Sequence, residues 1–186
     1  MPRTISLTRI AAAVAAAAAI TTAGAGQAMA APTYQTLTEL NQGQNLTAQG
    51  GAAVATPQQA GNLAQQFELL FPGSAGSSEP GMGSAFQLKN HNTGKCLVDN
   101  GPGAQVTEAG CLSAPVPKSK QLWQHHTAVD FQAFGRNFQY VFNRNSGRVL
   151  SRAPLFGSSV PVLSSAQTAP TGTAASRLQL WTFTKV

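Results

Sequence analysis

The chain has 186 residues and a formal net charge of +6, with 42% of its residues apolar and only 10% charged. That length suits one domain, able to bury roughly 70% of its unfolded surface, and its Lys and Arg residues form no dense stripe of the kind a nucleic-acid binder carries. The six acids, Glu39, Glu68, Glu79, Asp99, Glu108 and Asp130, are too scattered to suggest the paired carboxylates of a glycosidase.

Residues 1–30 read as an export signal. Arg3 and Arg9 give a positive start, Ile10 to Ile20 form an Ala-rich apolar run, and Ala28-Met29-Ala30 fits a cleavage site. The run is far shorter than the roughly 20 residues that cross a bilayer, so a cleaved leader is expected, with no stable membrane insertion. The mature chain would be residues 31–186, secreted and extracellular. Its formal charge falls from +6 to +4 once Arg3 and Arg9 are removed, a mild pull toward acidic surfaces. An exported compartment permits disulfides. With two cysteines, Cys96 and Cys111, one bridge is the simplest assignment, worth about 3 kcal/mol if unstrained.

The mature chain reads as three copies of one unit. The first, about 33–70, opens with Tyr34-Gln35 and continues through Gly43-Gln44-Asn45-Leu46 and Ala53-Val54 to Gln65-Gln66-Phe67. The second, about 84–128, has an alternating strand at Phe86-Gln87-Leu88. Asn90-His91-Asn92-Thr93-Gly94-Lys95-Cys96-Leu97 comes next, then Gly103 with Val106, then Gln121-Leu122-Trp123. The third, about 136–186, repeats these features. Phe138-Gln139-Tyr140 leads into Asn143-Arg144-Asn145-Ser146-Gly147-Arg148-Val149-Leu150, then Gly157 with Val160, then Gln179-Leu180-Trp181. Fixed order and near-constant spacing identify an internal repeat. The variable stretches Thr56–Ala64, Leu112–Lys120 and Ser164–Arg177 all precede the Gln-x-aromatic strand, as insertions in one equivalent surface loop would.

Each unit reads as four short strands separated by Gly, Pro and Asn turns. In the second unit they fall near Ala85–Asn90, Cys96–Asp99, Ala104–Glu108 and Leu122–Thr127. About twelve strands result, with no convincing helical period, and antiparallel strands of this kind hide their edges by closing into a barrel. Phe67, Trp123 and Trp181 are the expected plug of a shared core. Gln179 and Gln121, two residues before their Trp, share its face, so their buried amides need partners in a neighbouring turn.

Thr93-Gly94-Lys95-Cys96-Leu97, Cys111 and the two Gln-Leu-Trp motifs resemble the ricin B-chain-like lectin family, whose domains are β-trefoils. The resemblance implies an all-β trefoil and a Cys96–Cys111 bridge confined to the second unit, since Val149 and Ser165 hold those places in the third. It also implies a binding role, with a glycan or glycoconjugate as partner. Family members that bind sugars use an acid after the Cys-Leu pair and a ring before the second Cys. Here position 98 is Val, Asp99 comes one residue late, and Ala109 stands where the ring should be. Thr47 and Ser151 replace the acid in the other units. Asp99, supported by Gln121, is the remaining candidate for ligand binding at a non-standard site. The degenerate pockets and the segment Ala64-Gln65-Gln66-Phe67-Glu68-Leu69-Leu70 also resemble the trefoil cell-binding subunits of cytolethal distending toxins, which work largely through protein and surface contacts. A secreted protein partner, met through Phe71–Gly83 and Leu112–Lys120, is the alternative.

Other chemistry is set aside. His125 and His126 are strand neighbours and point to opposite faces, so no metal pair is expected. Asp99 and Glu108 could approach across a hairpin, where two acids are ordinarily solvated. No nucleophile elbow or phosphate-cradling loop occurs, and neither an enzyme nor a cofactor is expected. Asn45-Leu46-Thr47 is a glycosylation triplet. Phe131, Phe134, Phe138 and Phe142 read as strand core, with the first two in a connector where exposure is open.

Overall fold

The alternation read in each unit becomes four strands in the computed structural model, which describes residues 31–71, 83–113, 119–126, 129–165 and 168–186. Residues 1–30, expected from sequence to be an export signal, and most of the two loops considered for a protein partner, 72–82 and 114–118, lie outside the described residues. The chain divides into Met1–Ala31 and a second unit, Pro32–Val186, which carries every described strand.

The first repeat contributes β1 (Tyr34–Glu39), β2 (Asn45–Gln49), β3 (Ala52–Thr56) and β4 (Phe67–Leu70). The second contributes β5 (Gln87–Asn90), β6 (Cys96–Val98), β7 (Thr107–Ala109) and β8 (Trp123–His125). A connector strand, β9 (Phe131–Ala133), precedes the third repeat, β10 (Arg136–Asn143), β11 (Val149–Arg152), β12 (Val160–Ser165) and β13 (Leu180–Lys185). The only described helical pieces are a 3-10 turn at Leu63–Gln65 and one α turn at Ala174–Arg177.

The outer strands of the three repeats close a ring. β1 pairs β4, β4 pairs β5, β8 pairs β10, β10 pairs β13, and β13 returns to β1. The remaining side, β5 to β8, is closed by the Phe86–Trp123 bridge. The inner strands form three hairpins, β2–β3, β6–β7 and β11–β12. They meet over one end through β3–β12, β3–β7 and the Gln105–Leu163 bridge. Six barrel strands and three capping hairpins make a β-trefoil. β9 is the thirteenth strand, absent from the expected twelve. It pairs the start of β10 and covers an outer apolar face built from Phe138, Tyr140, Val149 and Leu180.

Phe67, Trp123 and Trp181 are fully buried in one cluster with Leu37, Leu46, Leu97, Val141 and Leu150. Rings of this size remove roughly 200 Å² each from water, about 5 kcal/mol of transfer free energy as an upper bound. Each Trp also finds the partner its indole N–H requires. Trp123 donates to Leu97 O at 3.2 Å, and Trp181 to Leu150 O at 2.9 Å. The acceptors are themselves equivalent residues of successive repeats.

The turns repeat as closely as the core. Asn90 Oδ1 accepts the backbone N–H groups of Asn92 and Thr93, and Asn143 Oδ1 those of Asn145 and Ser146. In the first repeat Glu39 takes this place and accepts from Asn41, Gln42 and Gln44. The turns close with Gly43, Gly94 and Gly147, each at φ +66°. The first repeat, faint in sequence, is a full structural copy.

Candidate functional site

The side chains singled out by sequence are held inside the fold. Gln121 is buried. Its Nε2 donates to Gly110 O at 2.8 Å and its Oε1 accepts from Leu112 N at 3.1 Å. Gln65 donates to Pro57 O and accepts from Gln59 N, while Gln179 accepts from Ala169 N. All three glutamines therefore pin the loop entering their strand. Cys96 and Cys111 are joined by a disulfide beside the second of these loops.

Asp99 is fully buried, and its carboxylate is already taken up. Arg148 Nη2 donates to Oδ2 at 2.8 Å, Ser146 Oγ donates to Oδ2 at 2.6 Å and Gly101 N to Oδ1 at 2.9 Å. Burial by itself would push this carboxyl up. The bonds from Arg148, Ser146, Ser164 and Gly101 outweigh burial and hold it below the ordinary aspartate value. Asp99 and Gln121, the candidates for ligand binding, thus both have partners within the fold, and for Gln121 these are the neighbouring-turn groups that its buried amide was expected to need. Glu108 accepts from Thr93 Oγ1 at 2.7 Å, a partner that it does not share with Asp99.

The other two family positions differ from this. Ser151 Oγ donates to a neighbouring carbonyl, that of Arg152. Thr47, bonded to Thr56 through its hydroxyl at 2.6 Å, lines an open recess of about 480 Å³ with Gln49, Gln59, Asn62 and Ser159. That recess is polar and uncharged, with no aromatic ring in its wall. Asn45 of the glycosylation triplet is only 5% exposed and is bonded to Thr38 and Gln65, so the folded chain withholds it from a glycosyltransferase.

An acid and aromatic rings do come together elsewhere. β10 alternates, sending Val141 into the main core and Tyr140 and Phe142 to the outer face. Asp130 bonds across that face, Oδ2 accepting Tyr140 N at 3.0 Å and Oδ1 facing His126 Nδ1 at 2.5 Å. A carboxylate only accepts, so Nδ1 carries the hydrogen of this bond and Nε2 is the ring nitrogen left for another partner. The His126 ring lies 4.8 Å from Phe142 and 6.2 Å from Tyr140, centroid to centroid. Tyr140 donates its hydroxyl to Ala169 O, fixing the segment 168–171 as the opposite wall. These groups enclose an open recess of about 610 Å³.

His125 points the other way, against Phe86 and Phe183. The two imidazoles therefore do not converge. In the sequence the residues of this site stood apart: Phe142 as strand core, Tyr140 in the strand that opens the third repeat, Asp130 as a scattered acid and His126 as no metal ligand. The signal that could have found it is the i, i+2 ring pair Tyr140–Phe142 on one strand face, with Asp130 four residues after His126.

No family model matches the sequence, and no curated protein matches it. Solved structures do. The designed threefold-symmetric protein ThreeFoil aligns at TM-score 0.59 and 16% identity, over 81% of this chain and 96% of that one. The cytolethal distending toxin of Haemophilus ducreyi aligns at 0.54 and 20%, over 80% of each chain. The Macrolepiota procera ricin B-like lectin, solved in complex with lactose, aligns at 0.53 and 14%, over 83% of this chain and 96% of that one. Likeness at such identities speaks for architecture, and it agrees with the ring of strands, the three hairpins and the repeated turns. The chain has the β-trefoil fold shared by ricin B-like lectins and cytolethal distending toxin subunits.

Proposed function

We propose that the chain is a secreted, non-catalytic, lectin-like module that binds a surface glycan or glycoconjugate at a non-standard site. The recess around His126, Asp130, Tyr140 and Phe142 supports this reading most directly. A carboxylate beside an aromatic face is the chemistry that grips sugar hydroxyls and covers the apolar side of a pyranose. Each Asp130 oxygen carries one bond and keeps a second lone pair for a hydroxyl. His126 Nε2 offers a further polar contact, and Thr168 and Thr171 add hydroxyls on the opposite wall. The disulfide agrees with an oxidising compartment. No helix among the described residues is long and apolar enough to cross a membrane.

A glycan array with the leaderless chain tests this reading. Binding is expected to fall about tenfold or more, on the order of 1.4 kcal/mol, in both Asp130→Asn and Phe142→Ala. Silence across plant, microbial and animal glycans would remove the proposal.

A second reading is a protein-binding trefoil, such as a toxin-type delivery subunit or an enzyme inhibitor. The exposed side chains Phe71, Leu155 and Phe156, the last 92% exposed, favour it. Recovery of one stoichiometric secreted partner, lost on Phe156→Ser, would establish it over the first.

A further inference from the structure

The β9–β10 hairpin turns through Phe134 and Gly135, at φ +52° and +67°, between the paired residues Ala133 and Arg136. Two successive left-handed residues make the tight hairpin turn that matches strand twist, and Asn, Asp or Gly ordinarily fills its first position. Phe134 meets a backbone cost there that glycine avoids. Burial does not compensate it, because the ring is 88% exposed. A large ring kept in a disfavoured conformation and held in solvent is a feature that folding alone does not call for.

The ring borders an open recess of about 420 Å³ between the β9–β10 hairpin and the first repeat's turn, lined by none of the residues of the His126 recess. Arg136 lines it and is exposed, and no acid among the described residues forms an ion pair with it. Glu39 is the acid in the wall. It is fully buried, and its oxygens are occupied by the N–H groups of Asn41, Gln42 and Gln44. Behind the same turn lies a second guanidinium, Arg152, which donates to Gln42 Oε1 at 2.9 Å. Arg136 is thus the cation in this lining, and the carboxylate that shares the wall with it is already occupied by backbone N–H groups.

Its amides are half used, and in opposite senses. Gln42 gives its oxygen to Arg152, which leaves its NH₂ to donate into the recess. Gln58 gives its Nε2 to Gly43 O, which leaves its oxygen to accept. A donor and an acceptor at one rim fit hydroxyl groups, an exposed ring fits the apolar face of a pyranose, and a guanidinium fork fits a carboxylate. A bare inorganic anion would need neither the ring nor the amides.

We propose that this recess is a second binding site, specific for a carboxylate-bearing sugar. The carboxylate meets Arg136, the pyranose face lies on Phe134, and the hydroxyls meet Gln42 and Gln58. The site shares no residue with the His126 recess and stands independently of it.

Calorimetric titration of the whole leaderless chain is the test. The probes are the methyl glycosides of a hexuronic acid and of a sialic acid, each against a counterpart whose carboxylate is reduced to an alcohol. At least one acidic probe is expected to bind, more weakly as salt rises, with its reduced counterpart about tenfold weaker or worse. Arg136→Gln is expected to lose about tenfold in affinity, and Arg136→Lys less. Phe134→Gly is expected to lose binding while its melting temperature stays level or rises, since the left-handed strain is relieved; a merely structural Phe would melt lower on removal. Asp130→Asn and Phe142→Ala are expected to leave this binding intact, which separates the two sites. The proposal is overturned by equal binding of acidic and reduced probes, by an unaffected Arg136→Gln, by loss of acidic-sugar binding in Asp130→Asn, or by no acidic probe binding at all. Capture of an acidic peptide at Arg136 in place of any sugar would also overturn it.

Discussion

Asp99 and Arg152 occupy the same place in successive repeats, and each reaches forward into the turn of the next. The backbone N–H of Asp99 donates to Lys120 O, and that of Arg152 to Leu178 O. The Asp99 side chain then clasps Ser146 and Arg148, while Arg152 clasps Gln42 and Gln44. Both side chains are buried, so each would be costly without its partners. Asp99→Asn is expected to destabilise the protein by about 3 kcal/mol at neutral pH, because it leaves Arg148 without its counter-charge. The native carboxyl is held below its ordinary value. Its ionisation therefore contributes stability that is complete above about pH 4 and is lost as pH falls through the lower native value. Urea midpoints for the two proteins should accordingly converge toward acid; a gap as wide at about pH 2.5 as at pH 7 would assign the loss to packing alone. Sequence could not reveal this clasp. Its partners lie 47 and 49 residues away, and an acid after a Cys-Leu pair has the look of a ligand-binding residue until a neighbouring repeat is seen to close over it.

At the scale of elements, the turn between the first two strands of each repeat carries the pattern. Its closing glycine sits at φ +66° in all three copies, and a Cβ added at Gly94 or Gly147 would meet nothing within 4 Å. Gly147→Ala should therefore lose about 1 kcal/mol through backbone strain alone, read as a lower urea midpoint with an unchanged slope. The repeats were legible because a trefoil asks for the same turn chemistry and the same buried Gln-x-aromatic strand three times, and these leave residue-type signatures. Phe67, Trp123 and Trp181 could be named for that reason. β9 left no such mark. Three residues carry no period of their own, and Phe131–Ala133 is a strand because the outer face of Phe138 and Tyr140 needs a cover. The acid-and-ring recess was hidden in the same way, since Asp130 is placed by tertiary bonds to His126 and Tyr140.

For the molecule as a whole, the ring of strands closes where β1 and β13 meet. They are paired from Gln35–Lys185 to Glu39–Trp181, and Val186 N donates to Tyr34 O. Joining Tyr34 to Val186 by a short linker and opening the chain at the exposed Gly50–Gly51 turn should keep a cooperative fold within about 2 kcal/mol of the parent. Deleting β13 takes away Trp181 and should abolish the cooperative melt altogether; a stable truncated core in calorimetry would contradict the shared plug. The forward clasps are not threefold, however. Where the second and third repeats carry Asp99 and Arg152, the first carries Ala48, which has no side chain to extend across the seam. The boundary between the first and second repeats lacks a buried side-chain clasp of this kind and is the one expected to open first. Amide protons along β3 and β7 should exchange sooner than their counterparts at the two clasped seams, by openings too small to unfold the rest.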